Sequence, residues 1–484
     1  MWEDQPARPD GSFRPVTRLF PRGRETAHDL KPFTKALSGI HDVPRSLMVV
    51  QHGQVLVEQW WEPFHPSVAH ELYSISKSVT AIAVGIAIDE GLLQLDDRIV
   101  DLFTDERPST ISDNLATMTI RHLLTMTSGH REDTMPRLRR EGGQWVSSIL
   151  AEPVDYRPGT HYVYDSGASY LLSAALQKVT SERLLDYLTP RLFGPLGIAG
   201  ATWGQCPAGI DYGGFGLSMT TEAVAAFGQF CLQRGVWNGR RIVSDKWIDA
   251  ATRAQVVTES ENPDWALGYG YQFRPSRWGG YRAAGAFGQL CLVLPEFAAV
   301  VVVTGGFDDA QAQLDTIWEH LLPVLAAPAI DASAPIGGSA PTREQVFGDA
   351  RPAEPNEWIE SDNSYVFDFP SNALGIDRLD LIQEAGDRRL VVTASGERRL
   401  AASVRTDAWT TSEFSSFAGE AQQLAVRAYG APDGLLVVRG VSLLGPLSCE
   451  LRIQSSAGAL RISLTVRHSL LCDLTEPIIG WSRK

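Results

Sequence analysis

Apolar and polar positions follow two regimes along the 484-residue chain. Residues 46–61 form an apolar stretch broken at Gln51-His52-Gly53-Gln54. That pattern predicts two strands joined by a hairpin, with Gly53 supplying positive φ. Residues 79–92 are almost wholly apolar (Val79, Ala81, Ile82, Ala83, Val84, Ile86, Ala87, Ile88, Leu92) and close on Asp89-Glu90-Gly91. A buried helix is predicted there. Residues 100–260 read as helical segments broken at Arg157-Pro158-Gly159 and Tyr212-Gly213-Gly214. Two apolar runs, 288–294 and 298–303, flank Pro295-Glu296 and predict an antiparallel hairpin; residues 309–325 then carry the period of one amphipathic helix. From residue 346 the pattern becomes short and alternating, as in Arg389-Leu390-Val391-Val392-Thr393 and Leu435-Leu436-Val437-Val438-Arg439. Residues 331–345, rich in alanine, proline, glycine and serine, have no period and read as a linker. The fold class is therefore α+β over 1–330, an antiparallel sheet flanked by helices plus a helical region. A small all-β domain, barrel- or sandwich-like, follows over 346–484.

Composition narrows the function. The chain is 44% hydrophobic and 21% charged, with a formal charge of −14, which speaks against nucleic acid or an anionic membrane as partner. No uninterrupted apolar stretch of roughly 18 residues occurs, so no membrane span is expected. The opening Met1-Trp2-Glu3-Asp4-Gln5-Pro6 has neither the basic nor the apolar part of a secretory signal. Cys206, Cys231, Cys291, Cys449 and Cys472 are odd in number and widely spaced, the pattern of reduced, buried thiols in a cytoplasmic protein. No close Cys/His cluster suggests a metal, and no cofactor is implied.

Ser74-Ile75-Ser76-Lys77 opens the apolar helix. Residues three apart share a helical face, and burial favours the neutral amine, the form that takes a proton from a serine. A Ser-x-x-Lys pair alone arises readily by chance, so its weight depends on what lies downstream. Gly-x-Ser-x-Gly is absent, and no motif assembles a serine–histidine–aspartate triad from the ten histidines. Tyr164, in Tyr162-Val163-Tyr164-Asp165-Ser166-Gly167, is a second proton carrier once an ammonium lies beside it; by residue type alone a half-buried aromatic is the favoured reading. Trp145 and the aromatic run 265–271 suit an acyl pocket or core packing equally. His122 and His130, either side of the Thr-Ser-Gly turn, read as structural.

Ser74-x-x-Lys77, then Leu123-Leu124-Thr125-Met126-Thr127-Ser128-Gly129, Pro158-Gly159, Tyr164-x-Ser166 and Gly285-Ala286-Phe287-Gly288-Gln289 form one ordered series. The series resembles the class C β-lactamase and penicillin-binding-protein-like serine hydrolases, with family VIII esterases and 6-aminohexanoate-dimer hydrolases among them. The resemblance covers roughly residues 46–325. It implies a β-lactamase/transpeptidase-like domain with Ser74 as nucleophile, Lys77 as its proton acceptor and Tyr164 as the acid and base serving the leaving group. It further implies backbone N–H groups of Ser74 and Ala286 as oxyanion donors; Ser166, Gly285 and Trp145 are candidate substrate contacts, and Gln289 reads first as serving the strand's entry near the site and only second as a substrate contact. Ser166 replaces the family's usual asparagine. Ala283-Ala284-Gly285 stands where the family has Lys-Thr-Gly or His-x-Gly, so a small ester or amide suits the site better than a β-lactam. Acyl transfer or peptide cyclisation through the same acyl-enzyme is the alternative, and a binder that does not turn over is the third reading. The oligomeric state is left open.

Overall fold

The computed structural model describes residues 18–22, 30–40, 43–136, 144–327 and 364–482. Short stretches within the last span (373–374, 385–386, 406–408, 416–420, 432–434, 444–447, 457–458 and 468–477) are excepted. The predicted linker at 331–345 lies outside the described residues.

A six-stranded antiparallel sheet organises the first region. The hairpin Val43–Gln51 and Gln54–Trp60 lies beside Ala299–Gly306, followed by Gln289–Leu294, Tyr281–Gly285 and the short Arg274–Pro275. Both hairpins predicted from the pattern form, and His52 and Gly53 both take positive φ at the first turn. Side chains alternate between two cores. Met48, Val50, Cys291, Val293, Val300 and Val302 face the helical region. Leu47, Val49, Leu290, Leu292, Val301 and Val303 face helices formed by Lys31–Ile40 and residues 310–326. Burial on both faces explains why these strands read as unbroken apolar runs. The helix predicted over 309–325 is helical throughout 310–326, but widens into a π turn at Ile317–Leu321. Pro323, which has no N–H to donate, follows that turn at once.

The middle region is helical as expected, yet it also holds strands that the pattern did not reveal. Ala69–Glu71, Leu217–Thr220 and Thr202–Trp203 form a three-stranded sheet. At two to four residues each, they are too short to display a period. The predicted helix after Ser74 runs Ile75–Asp89, and every residue from Ile75 to Ala87 is buried. Within it Gly85 leaves room for the Trp247 indole, which donates to the Ala81 carbonyl at 3.1 Å.

From Tyr365–Asp368 to Ile478–Ser482, ten antiparallel strands close into a barrel around an aliphatic and aromatic interior. Closure decides between the two all-β forms that the alternation allowed. Among the described residues no helix is long and apolar enough to cross a membrane, and no cluster of three metal-ligating side chains occurs. Four of the cysteines are free thiols; Cys472 lies outside the described residues.

Candidate active site

Ser74 caps the Ile75–Asp89 helix where the chain turns sharply out of Ala69–Glu71. The turn passes through Tyr73 at φ 47°, a conformation costly for an aromatic residue and held here by its surroundings. Leu72 N–H donates to Leu217 O at 2.8 Å, and Ser76 Oγ accepts from Leu217 N–H at 3.2 Å, so the helix start is strapped to a strand. One turn on, Lys77 is 1% exposed. Its Nζ donates to Ser74 Oγ at 3.2 Å, Ser166 Oγ at 3.1 Å and Gly214 O at 2.8 Å. No carboxylate is among these partners. A buried amine with three neutral oxygens is far from the usual arrangement, in which a buried charge is paired. Gly214 matters through what it lacks: a β-carbon there would lie 3.3 Å from the Lys77 amine.

Tyr164 is half-buried, with Lys77 Nζ 4.8 Å from its ring centroid. The contact is therefore to the ring, and no hydrogen bond joins Lys77 to the phenol oxygen. The segment behind Tyr164 is fixed by a buried polar network that sequence reasoning missed. Asp165 is fully buried and caps the Ser166–Thr180 helix through Gly167 N–H at 2.9 Å. It also accepts from Thr134 N–H at 3.0 Å, Thr134 Oγ1 at 2.9 Å and His130 Nδ1 at 3.3 Å. A β-carbon at Gly167 would collide with the Thr134 hydroxyl. Asp133 accepts from Ser166 N–H at 2.9 Å, and so fixes the backbone of the hydroxyl that touches Lys77. Burial first, and then the neighbouring Asp165, push the Asp133 carboxyl up. Burial opposes ionisation of Asp165 too, but hydrogen bonding and charge from His130, with the Thr134 N–H, hold it below the ordinary range. The two carboxyls are thus shifted in opposite directions. A cavity of about 480 Å³ opens beside them, lined by His130, Asp133, Thr134, Pro153 and Asp155 among others.

The third wall is the end of Tyr281–Gly285 and the tight turn Ala286–Gly288. Gly285 packs against the Leu72 carbonyl so closely that any β-carbon would overlap it. Phe287 takes φ 60° and its ring meets Tyr73 edge-on at 5.3 Å. Two left-handed aromatic residues thus hold the Ser74 turn and the Ala286 turn together. Neither the Ser74 N–H nor the Ala286 N–H has an acceptor among the described residues.

Other predicted contacts fall elsewhere. Gln289 is 2% exposed, and its amide donates to Phe287 O at 3.0 Å and Gly305 O at 2.7 Å; it braces the Ala286 turn from behind. Trp145 is 5% exposed and sits in the core, stacked on Tyr212 at 5.5 Å and edge-on to Tyr170 at 5.3 Å. Ala283 is also in that core. Arg282 points to the opposite face, as strand alternation requires, and donates to Pro275 O, Ser276 Oγ and Asp264 O. Arg274, unremarked in the sequence, does approach the site: its guanidinium lies 5.4 Å from the Tyr164 ring centroid.

A family model described as Beta-lactamase matches residues 43–321. The chain is 24% identical over 220 residues to a 6-aminohexanoate-dimer hydrolase of Paenarthrobacter ureafaciens, covering 42% of this chain and 56% of that protein. It is 26% identical over 157 residues to a lovastatin esterase of Penicillium rubens, covering 26% of this chain and 37% of that protein. These matches span about half or less of the curated relatives' length. The solved octameric penicillin-binding protein homologue from Pyrococcus abyssi superposes with TM-score 0.50 at 15% identity, over 94% of this chain and all of that one. That likeness is one of fold, and it takes in the barrel.

Proposed function

The chain belongs to the beta-lactamase family, and from that premise we propose that it is a serine hydrolase that cleaves a small ester or amide through an acyl-enzyme on Ser74. The observation that carries this reading is the Lys77 amine, buried, without a carboxylate partner and 3.2 Å from Ser74 Oγ. Gly214 O can only accept a hydrogen bond, whereas the two serine hydroxyls can donate or accept. Gly214 O and Ser166 Oγ hold the Lys77 amine in place, with its nitrogen within reach of the Ser74 hydroxyl.

Ser74 Oγ attacks the acyl carbon as its proton passes to Lys77. The N–H groups of Ser74 and Ala286, unengaged among the described residues, receive the developing oxyanion. Tyr164 hands a proton to the departing alcohol or amine, and its hydroxyl, which has no hydrogen bond among the described residues, serves that task. Water then enters, gives its proton back through the same groups and releases the acid. The family resemblance and the Lys77–Tyr164 proximity support the roles of these residues.

Time-resolved intact mass with p-nitrophenyl butyrate, alongside released nitrophenol, tests the reading. Wild type should show a transient acyl adduct with continuing release, and Ser74→Ala should show neither. Undiminished turnover by Ser74→Ala would overturn the assignment. A stable adduct without release would point instead to a binder or to transfer onto another acceptor.

A further inference from the structure

Arg274 is half-buried on the two-residue strand Arg274–Pro275, opposite Arg282 of Tyr281–Gly285. Aromatic rings surround it. Its guanidinium is 5.0 Å from the Tyr269 centroid, 5.4 Å from Tyr164 and 5.9 Å from Trp265. Its one hydrogen bond to protein among the described residues goes to the Tyr162 hydroxyl at 3.2 Å. A guanidinium has five N–H donors, so most of its capacity is unused. Neighbouring arginines differ. Arg277 is paired with Asp264 and Asp315, and Arg282 donates to three oxygens of the 264–276 segment.

Among the described residues no anion within the cage balances Arg274. Burial raises the Tyr162 hydroxyl above its ordinary value and Tyr269 further still, so both are neutral phenols. Among the described residues no carboxylate forms an ion pair with it. The adjacent Arg282 compounds the excess of positive charge: burial first, and next the charge of Arg274, pull its guanidinium down to about 9. Aromatic faces stabilise a cation by dispersion and quadrupole attraction, but they leave its hydrogen-bonding edge without acceptors. A planar fork of this kind matches a carboxylate bidentately. The Tyr164 ring that Arg274 approaches is the ring beside which the Lys77 amine lies, 4.8 Å from the centroid.

Resting on the Ser74 acyl-enzyme reading, we propose that Arg274 binds a carboxylate of the substrate. The preferred class is then esters or amides with a free carboxylate a few bonds from the scissile acyl carbon, such as half-esters or half-amides of short dicarboxylic acids. The family's usual cation position, Ala283, is packed in the core; the positive charge enters from the neighbouring strand instead.

The test compares p-nitrophenyl hydrogen glutarate with p-nitrophenyl butyrate at fixed ionic strength, in wild type, Arg274→Gln and Arg274→Lys. Wild type should favour the charged ester in kcat/KM by ten-fold or more. Arg274→Gln should cut that selectivity ratio at least ten-fold, mainly through KM, and Arg274→Lys should recover part of it. Equal losses on both esters, with a displaced alkaline limb of kcat, would mean that Arg274 acts through Tyr164 and would overturn the proposal, as would absence of selectivity in wild type. Calorimetric binding of glutarate needs no turnover: wild type should bind it and Arg274→Gln should bind at least ten-fold more weakly. Equal binding by the two proteins would also overturn the proposal, whereas glutarate binding without any acylation would fault the Ser74 reading alone.

Discussion

Lys77, His130, Asp165, Asp211, Glu222 and Asp264 are all buried in the first region, while the barrel's core cluster from Phe367 to Ile478 is apolar and Arg388 is the one buried charged side chain among the described barrel residues. Backbone conformation divides in the same way. Tyr73, Met126, Gln272 and Phe287 are among the left-handed non-glycine residues of the first region; among the described residues of the barrel Ser395 is the only one, at a Ser395-Gly396 turn. Buried charge and left-handed aromatics are expensive, and in a chain selected for folding alone they would be replaced. Lys77, Tyr73 and Phe287 gather at the Ser74 turn, and there stability has been given up for placement. The barrel shows what the same chain does when packing is the only demand.

Four substitutions break or sharpen this contrast. Lys77→Met should lower turnover of an activated ester at least about 100-fold, with no fall in melting temperature, because an apolar chain of similar length replaces an unpaired buried amine. A marked loss of stability, measured by calorimetry, would make Lys77 a structural residue. Gly285→Ala should push the Ala286 turn away from Leu72 and reduce kcat roughly ten- to hundred-fold, with the smaller change in KM; steady-state kinetics reads this directly.

Asp165→Asn probes buried charge by stability. Because Asp165 is held below the ordinary carboxyl range, its contribution is complete above about pH 4 and is lost as pH falls through its lower folded value. Asp133 is shifted upward and acts in reverse, contributing at low pH and losing its effect as pH rises through its raised folded value. Urea midpoints should therefore show Asp165→Asn destabilised by about 1–2 kcal/mol at neutral pH, with the gap to wild type narrowing under acid. A gap constant with pH would refute the ionised state of Asp165. In the barrel, Ile462→Val removes one buried methylene and should cost about 1 kcal/mol, with kcat/KM on p-nitrophenyl butyrate unaltered. An activity change there would tie the barrel to the cleft.

What the sequence disclosed was local. Ser74 and Lys77 are one helical turn apart, so their meeting follows from spacing once the helix is recognised. The hairpins at Gly53 and Pro295 were legible for the same reason: period and turn residues lie within a dozen positions. Arg274 was hidden because its approach to Tyr164 depends on how a two-residue strand seats against Tyr281–Gly285. Asp133 was hidden, and His130 was legible only as structural, because their partners, Ser166 and Asp165 respectively, lie more than thirty residues away. Gln289 and Trp145 show the opposite problem. Each has the chemistry of a substrate contact, and only burial and an already engaged amide, or stacked rings, reveal what occupies it.

Closure of the barrel has a further consequence. Each of its ten strands is bonded on both sides, Tyr365–Asp368 to Ile478–Ser482 included. Such a ring has no edge strand among the described residues, and so little of its backbone is open as a template onto which another chain could zip. Its thinnest joint is between Glu397–Ser403 and Thr410–Ser415, where Leu400 and Phe414 are the one matched pair. Unless that joint parts, whatever meets the barrel must be recognised by side chains and loops, not by backbone.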